Sequence, residues 1–237
     1  MTRPVRFLRY LAVVIAASTM VFGCATTRQM TTKGEEFPLM YEETPVSILI
    51  MPPLNESTAA DAKGYYATTV QEVVSYWGYY VFPYEITTDI LKMEGIYDAE
   101  LIRNVSLTKF REYFGADAVL FTTIKKWDLS YMILAATLTV SIEAELKSTK
   151  TDQVLWHYTG TVVVDLSGGQ SGGGGLAGLI AAAIVTAASS AMADYVPYAR
   201  QANVRALSTL PFGKYHPQHM SDQSMQFLDQ SPPKMNP

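Results

Sequence analysis

The chain has 237 residues, a formal net charge of −4 and a single cysteine, Cys24. A chain of this length can form one large domain with its own hydrophobic core. An acidic chain without clustered Lys and Arg is a poor nucleic-acid binder, because phosphate contacts need such clusters. A single cysteine excludes an intramolecular disulfide, so the fold must be stabilised by an ordinary core.

The first 23 residues have the order of a secretory signal peptide. Three arginines lie among the first nine residues, and an uncharged apolar run from Leu11 to Phe22 ends at the small residue Gly23. This is the order of a charged region, an apolar region and a cleavage site. The apolar run is shorter than the 20 or so residues that a transmembrane helix needs. We therefore predict that residues 1–23 are a cleaved signal peptide, which leaves a mature charge of about −7 because three arginines are lost.

The residues Val21-Phe22-Gly23-Cys24 resemble the bacterial lipobox, whose cysteine is acylated through sulfur before the signal peptide is removed. Phe22 departs from the usual preference for a small or hydroxyl residue. Several acyl chains make such an attachment effectively permanent. Ala25 follows the cysteine in place of the aspartate associated with inner-membrane retention. Cys24 is thus the predicted lipidation site, and the resemblance to sorted lipoproteins implies an outer-membrane anchor. We expect the domain on the periplasmic face, and a surface-exposed domain stays open because the same lipid anchor serves both.

The rest of the chain divides into three predicted parts. Residues 24–44 are polar and have no sustained period, which predicts a flexible lipidated tether. Residues 45–211 carry the hydrophobic patterns of one α/β domain. Residues 212–237 are rich in Pro, Gln, Ser and Met, and this composition predicts a disordered tail.

The predicted domain begins with alternating strands and helices. The apolar run from Ser47 to Met51 is stopped by Pro52-Pro53, which predicts a buried strand. A helix is predicted over Thr58–Trp77 and is ended by Gly78. The next predicted elements are a strand at Tyr79–Tyr84 and short helices at Thr87–Met93, Asp98–Arg103 and Ser106–Phe114.

Three extended runs follow, at Ala118–Trp127, Ser130–Lys147 and Val154–Asp165. In the second run polar residues from Thr137 to Glu145 alternate with apolar residues from Leu138 to Leu146, so one face is polar and the other packs inward. The last two runs predict a hairpin, and a final helix is predicted at Tyr198–Leu207. The fold class is therefore α/β, with a mixed sheet that has a parallel start, an antiparallel C-terminal hairpin and flanking helices.

An uncharged segment rich in Gly and Ala lies between Asp165 and Asp194. It lacks the lysine of a phosphate-binding loop. Three interpretations stay open: a helix over residues 172–193 packed closely on the sheet, which the weak hydrophobicity favours; a membrane-spanning helix; and a contact between subunits. The candidate residues for a partner contact or self-contact are Gly174, Gly178, Leu179 and Ala183.

Catalytic chemistry has no clear signature in the chain. His216 and His219 have neither a nearby cysteine nor an acid cluster to complete a metal site. Glu143 and Glu145 fall on one side of a strand, and a solvated polar face explains them better than an acid/base pair does. Gly169-Gln170-Ser171-Gly172-Gly173 has the Gly-x-Ser-x-Gly spacing only as part of a glycine tract, and we predict no nucleophile elbow there. We therefore expect a non-enzyme without a metal or a cofactor.

Several short segments together resemble a known family. They are Ser47 to Ser57, Gly115 to Leu120 leading into Trp127, Val154-Leu155-Trp156 and the Gly/Ala segment. As a set, over roughly residues 40–212, they are similar to a family of bacterial outer-membrane lipoproteins that includes a neisserial surface-antigen candidate. The resemblance implies a fold similar to the N-terminal domain of TolB and the periplasmic domain of CsgG. It also implies an auxiliary role in envelope transport or secretion.

Two classes of function compete at this stage. The favoured hypothesis is a non-catalytic adaptor, anchored to the membrane by its N-terminal lipid, whose partners are other envelope lipoproteins, such as a CsgG-like one, or transporter components. The alternative is a self-assembling, membrane-inserted or pore-associated subunit that uses the Gly/Ala-rich helix and forms a homo-oligomer. A periplasmic hydrolase is disfavoured, because no nucleophile and base occur at a recognisable spacing.

Overall fold

A mixed β-sheet forms the centre of the computed structural model, which describes residues 30–132, 135–165 and 196–228. The strands are β1 (Met30–Thr32), β2 (Ser47–Ile50), β3 (Leu54–Asn55), β4 (Tyr80–Val81), β5 (Ala118–Met132), β6 (Ala135–Ser148), β7 (Val154–Asp165) and β8 (Gln226–Leu228). The helices are α1 (Lys33–Glu36), α2 (Pro38–Glu43), α3 (Ala62–Tyr76), α4 (Tyr84–Met93), α5 (Ala99–Ile102), α6 (Leu107–Phe114) and α7 (Val196–Ala206).

The strand order of the main sheet is β4-β2-β5-β6-β7, and β3 also pairs with β5. The early strands are parallel, because β2 pairs in parallel with β4 and β5, and β3 in parallel with β5. The later strands β5, β6 and β7 form antiparallel pairs. This arrangement confirms the predicted α/β class with a parallel start and an antiparallel C-terminal part.

One face of the sheet, which we call the covered face, packs against α3 and α7. Its core includes Leu138, Val140 and Ile142 of β6, each at most 2% exposed. Helix α7 contributes small residues to this contact, Ala199, Ala202 and Ala206. Their helical spacing places them on one side of α7, where small side chains let the helix approach the sheet closely.

The opposite face is only partly covered by the described helices. Helices α4, α5 and α6 pack over β2 and β5, where Leu91, Ile102 and Phe110 meet Leu49 and Val119 in a second cluster. In the described part of the chain no helix continues this layer over β6 and β7. We call this part of the sheet the open face.

Asp117, from the Gly115 to Leu120 segment, links the start of β5 to the start of β2. Its carboxylate accepts hydrogen bonds from the backbone N–H groups of Val46 and Ser47, both at 3.1 Å, and from the Ser47 hydroxyl at 3.0 Å. Gly115, just before it, ends α6 in the left-handed conformation with φ 69°, which glycine adopts without strain. The motif therefore has a structural role at the start of β5.

The prediction of a flexible tether over residues 24–44 is wrong for residues 30–44. Thr32 and Glu35 form a reciprocal capping box at the start of α1, and Pro38 occupies the first turn of α2. Phe37 and Met40 are 3% and 4% exposed and belong to the core of the covered face. Local capping and burial of these two side chains together order the segment.

The prediction of a disordered tail over residues 212–237 is wrong for residues 212–228. We call residues 210–228 the strap, because β8 at its end pairs antiparallel with β1. Within the strap Asp222 is 1% exposed and accepts from the ammonium group of Lys33 at 3.3 Å. The Asp222 carboxylate also accepts from the Tyr41 hydroxyl and the Phe212 N–H. These partners compensate the burial of a charge that composition alone assigned to solvent.

The prediction of a single strand over Ser130–Lys147 is also wrong. Residues 130–132 end β5, and β6 begins at Ala135, so β5, β6 and β7 form a three-stranded meander in place of one hairpin. From Thr137 to Lys147 the predicted alternation of buried residues with more exposed ones is confirmed. The end of β5 and the start of β6 were missed because the sequence stays apolar from Met132 to Ala135, without the glycine or asparagine that usually marks a tight turn.

Candidate partner-binding groove

A groove crosses the open face between the α5–α6 turn and the edge strand β7. Two hollows of about 300 and 240 Å³ lie along it and share Arg103 and Phe121. The first is bounded by the start of α6 and by Lys147 and Asp152. The second is floored by β6 and β7, with Thr123, Glu143, Glu145, His157, Tyr158 and Thr159 around it.

The carboxylates of β6 in this groove are held in ion pairs. The Glu143 carboxylate lies 3.2 Å from the Lys125 ammonium group, which also contacts Glu56 at 2.8 Å. The hydrogen bond that Lys125 donates to Glu56, followed by the one to Glu143, raises the pKa of Lys125. Glu145 lies 3.2 Å from Lys147. The predicted location of Glu143 and Glu145 on a solvated polar face is confirmed by their half-exposed side chains.

Arg103 lies where the two hollows meet. It is the C-terminal cap of α5, and its guanidinium Nη2 donates to the Thr123 hydroxyl at 2.8 Å. Its guanidinium carbon lies 5.5 Å from the centroid of the Phe121 ring. Among the described residues Arg103 has no carboxylate partner, in contrast to Lys125 and Lys147.

The three histidines of the chain, His157 and the two considered above as metal ligands, have separate structural surroundings. His157 lies at the groove with its Nε2 3.5 Å from Glu36. In the strap, the His216 ring stacks on Phe212 with centroids 3.7 Å apart, and His219 Nδ1 lies 2.8 Å from the Phe212 carbonyl. Within the described ranges, no three residues of the metal-binding types come together.

The other predicted site residues lie outside the described residues. These are Cys24 and the candidate contact residues Gly174, Gly178, Leu179 and Ala183, together with the whole predicted helix at 172–193. Of the helices that are described, none combines the length and apolar character of a membrane span. The lipidation site and the Gly/Ala contact therefore stay predictions.

Sequence reasoning did not identify the groove. Phe121 and Thr123 alternate along β5, but such a pattern predicts only which face they share. Arg103 ends a four-residue helix, and its contact with Thr123 depends on how α5 crosses the sheet. No local signal distinguishes such an arginine from a solvated one.

Comparisons with known proteins place the chain in a family. The family described as "Putative lipoprotein GNA1162-like" matches residues 36–213. A lipoprotein of Neisseria meningitidis serogroup B, NMB1124/NMB1162, is 32% identical over 153 residues, which are 65% of this chain and 70% of that protein.

Three solved structures are also similar to parts of the chain. The crystal structure of lipoprotein GNA1162 from Neisseria meningitidis is 34% identical, with 62% of this chain and 99% of that chain covered and a TM-score of 0.47. The PelC dodecamer from Paraburkholderia phytofirmans is 12% identical, with 69% and 87% covered and a TM-score of 0.41. LpoB from E. coli is 11% identical, with 54% and 64% covered and a TM-score of 0.36.

The family match covers most of the chain, including the sheet, α3 to α7 and the groove. It leaves out β1, the first three residues of α1 (Lys33 to Glu35), and the strap from residue 214 onward. The match and the neisserial relative agree in assigning the chain to lipoproteins. The protein belongs to the GNA1162-like family of lipoproteins.

Proposed function

We propose that this protein is a non-catalytic adaptor of an envelope transport or secretion system, anchored by lipid on Cys24 to the periplasmic face of the outer membrane. Its partner is another envelope lipoprotein, such as a CsgG-like one, or a transporter component. The proposal needs no cofactor. It rests on membership in a lipoprotein family and on the groove of the open face.

The groove is the single observation that carries the adaptor role. Long strands on a rigid sheet hold its floor, and the side chains there are half-exposed and polar. A concave surface with a few convergent polar groups on a rigid scaffold is typical of a binding site. Within residues 30–132, 135–165 and 196–228, α3 and α7 cover the other face, so the open face is the larger sheet surface left to a partner there.

The arrangement of charges supports binding over catalysis. General acid/base chemistry needs a carboxyl group poised next to a substrate position, with its pKa set for proton transfer. Glu143 and Glu145 instead lie against the ammonium groups of Lys125 and Lys147. A carboxylate held in an ion pair in half-exposed surroundings is a recognition group or a solvated group, and we therefore propose that the protein is not an enzyme.

Site-specific photo-crosslinking in the native envelope tests the proposal. A photoreactive amino acid replaces Thr159, which is exposed on β7 in the groove, and in a matched control it replaces Lys63, which is exposed on α3. The full chain is expressed in its own envelope, irradiated and purified, and the crosslinked proteins are identified by mass spectrometry. The same spectra report whether Cys24 carries acyl chains.

We expect a transport or secretion component at position 159 that is absent at position 63, together with acylated Cys24. Crosslinks at both positions to the same proteins would show proximity without recognition and would overturn the adaptor role. Crosslinks at position 159 only between copies of this chain would favour the self-assembling subunit. An unmodified Cys24 would remove the anchor from the proposal.

A further inference from the structure

Strands β1 and β8 form a two-stranded unit, which we call the ribbon. Its opposite residues are Met30 with Leu228, Thr31 with Phe227 and Thr32 with Gln226. Residues directly opposite one another in an antiparallel pair point to the same face, and successive pairs alternate between the two faces. The Phe227 ring stacks on Phe37 of the core, with centroids 5.6 Å apart. The pair that contains Phe227 therefore marks the inner face, and the two pairs on either side of it lie on the outer face.

The outer face of the ribbon exposes two large apolar side chains side by side. Met30 is 55% exposed and Leu228, directly opposite, is 54% exposed. Met225, just before β8, is exposed as well. Scattered single apolar residues are normal on a protein surface, but side chains that adjoin across a strand pair form a continuous apolar surface. Such a surface is suited to contact with another apolar phase.

The described outer face carries no charged side chain. Within residues 220–228 the charged residue is Asp222, which is buried in its ion pair. Glu35 is exposed, and its carboxylate is held by the N–H and the hydroxyl of Thr32, at the end of the ribbon away from the apolar pair. In the sequence just beyond the ribbon the nearest charges are Arg28 and Asp229, which have opposite signs. The outer face can therefore leave water without the cost of burying a charge.

The course of the chain indicates which apolar phase the outer face meets. Met30 lies six positions after Cys24, the predicted lipidation site. A lipid on Cys24 holds the start of β1 beside the membrane, and it holds β8 there too because the two strands are paired. Moving an apolar face from water into the boundary between headgroups and acyl chains lowers the free energy. The bilayer is therefore the occupant that this face fits.

The ribbon is fixed to the domain, so a contact that it makes also orients the domain. Just after β1, the backbone N–H groups of Lys33 and Gly34 donate to carbonyls of the strap at 3.0 and 2.9 Å. The Lys33 ammonium group also donates to the Leu210 carbonyl at 2.9 Å. These bonds continue the pairing of the two strands into the buried ion pair with Asp222.

We propose that the outer face of the ribbon lies in the interfacial layer of the bilayer that holds the lipid of Cys24. Met30 and Leu228 are then at the boundary between the headgroups and the acyl chains. This inference rests on the lipid anchor of the proposed function and goes beyond it, because the contact gives the domain a fixed orientation on the membrane. Both strands lie outside residues 36–213, which match the family, so the contact is proposed for this chain and not for its family.

Spin-label accessibility tests the inference on the lipidated full chain in vesicles of phosphatidylethanolamine and phosphatidylglycerol. A nitroxide is attached to Gln226→Cys, on the outer face, so that both apolar side chains stay native. Cys24 is the single cysteine of the chain, and its acylated sulfur does not react with the label. The matched control carries the label at Met93→Cys, an exposed position at the end of α4. The measured quantity is the relaxation by oxygen, which dissolves in the bilayer, divided by the relaxation by a water-soluble nickel chelate.

We expect this ratio to be at least about fivefold higher at position 226 than at position 93, because a strongly polar chelate is excluded from an apolar layer. Met30→Ser combined with Leu228→Ser should lower the ratio at position 226 to that of the control. Ile86→Ser combined with Ile90→Ser, which changes an exposed apolar pair on α4, should leave the ratio unchanged. All four side chains are exposed, so thermal unfolding of both double variants should match that of the wild type.

Three results would overturn the inference. The first is a ratio at position 226 no higher than at position 93. The second is a high ratio that Met30→Ser with Leu228→Ser does not lower, or that falls as the ionic strength rises, since an apolar contact is not screened by salt. The third is low access of both oxygen and the chelate together with spin–spin broadening, which would show that the ribbon binds a second copy of the chain.

Two readouts separate this inference from the proposed function. Mass spectrometry of the same sample shows whether Cys24 is acylated. Acylated Cys24 with a water-exposed label at position 226 leaves the anchor standing and removes the ribbon contact alone, whereas unmodified Cys24 removes both. The crosslinking at Thr159 reports on the adaptor role by itself. A chain that captures no partner there but has its ribbon label in the bilayer keeps this inference and loses the adaptor role.

Discussion

The two faces of the main sheet are made from the same strands but have different chemistry. On the covered face the residues of β6 are aliphatic and at most 2% exposed, and they contact α3 and α7. On the open face the alternate residues of β6 are Thr, Ser, Glu and Lys. The glutamates form ion pairs with lysines, and the Ser141 hydroxyl forms a hydrogen bond with the Thr161 hydroxyl. Stability is therefore expected to come from one face and recognition from the other. This division can be tested by changing each face separately.

The largest effect is expected from the buried ion pair at the margin of the covered-face core. Asp222→Ala leaves the Lys33 ammonium group, 4% exposed, without its carboxylate. We expect a loss of about 3–5 kcal/mol in the free energy of unfolding, because an uncompensated buried charge remains. Urea unfolding of the full chain followed by Trp fluorescence measures it.

The double variant Lys33→Met with Asp222→Leu is the control for that measurement. It removes both charges and should lose much less stability than Asp222→Ala, because apolar residues can replace a buried pair at little cost. A loss below about 1 kcal/mol in Asp222→Ala would contradict the prediction. The strap would then contribute little to holding α1 on the domain.

A neighbouring pair of residues on β6 compares the two faces directly. Leu146 is fully buried on the covered face, and Leu146→Ala should cost about 2–5 kcal/mol through lost burial and a cavity. Glu145 precedes it on the open face, and Glu145→Ala should change stability by about 1 kcal/mol or less. Chemical unfolding of both variants gives the two values. Similar losses would show that the open face is also a structural face.

Alkaline pH should act through tyrosines that contact the covered-face core. Burial raises the pKa of Tyr84 to about 12, and burial also raises the pKa values of Tyr66 and Tyr79. A pKa that is higher in the folded chain than the usual value near 10 means that the stabilising contribution is complete below pH 10 and is lost as the pH rises toward 12. Unfolding free energies at pH 9 and pH 11.5 should therefore differ less in Tyr84→Phe than in the wild type.

The absorbance of tyrosinate near 295 nm gives an independent readout of the same prediction. When the folded chain is titrated, the absorbance change of the buried tyrosines should appear only above pH 10, at the pH where the chain begins to unfold. If the full change is complete near pH 10 while the chain stays folded, the effect of burial is refuted. The Lys33 ammonium group is the opposite case. Burial lowers its pKa, so the free-energy cost of burying this charge disappears as the pH rises and the group loses its proton.

The smallest effect is expected from a hydroxyl pair on the open face. Thr161→Val removes the hydrogen bond between Thr161 and Ser141, which joins their hydroxyl oxygens at 2.8 Å, and keeps the β-branched shape. Because both groups are exposed, water replaces the lost partner, and the change should be about 0.5 kcal/mol or less. In thermal unfolding this corresponds to a shift of about 2 °C or less. A larger shift would mean that the hydroxyl groups of the open face do stabilise the sheet.

The sequence predicted the elements whose signals are local and periodic. The helix expected over Thr58–Trp77 is α3, at Ala62–Tyr76, and the alternation from Thr137 to Leu146 is the two-faced strand β6. The strand expected at Tyr79–Tyr84 is shorter, because α4 begins at Tyr84 directly after Pro83. Aromatic and β-branched composition favoured a strand there, but the proline ends it.

The missed elements depend on residues that are distant in the sequence. Lys33 and Asp222 are 189 positions apart, and nothing near either residue indicates that the other will neutralise it. One local signal was available: Thr32-x-x-Glu35 is a capping-box pattern, and it predicts a helix start inside the supposed tether. The groove had no such signal, because Arg103 acquires its surroundings only when α5 is placed on the sheet.

The first strand of the domain begins at Met30, six positions after Cys24. Six steps of a fully extended chain reach at most about 21 Å. That is shorter than the hydrocarbon core of a bilayer, which is about 30 Å thick. With lipid on Cys24, as proposed, β1 and the end of the strap are confined to a thin layer next to the membrane surface. Such a short link would hold the whole domain near the bilayer, so that partners have to come to this protein and it cannot travel far to meet them.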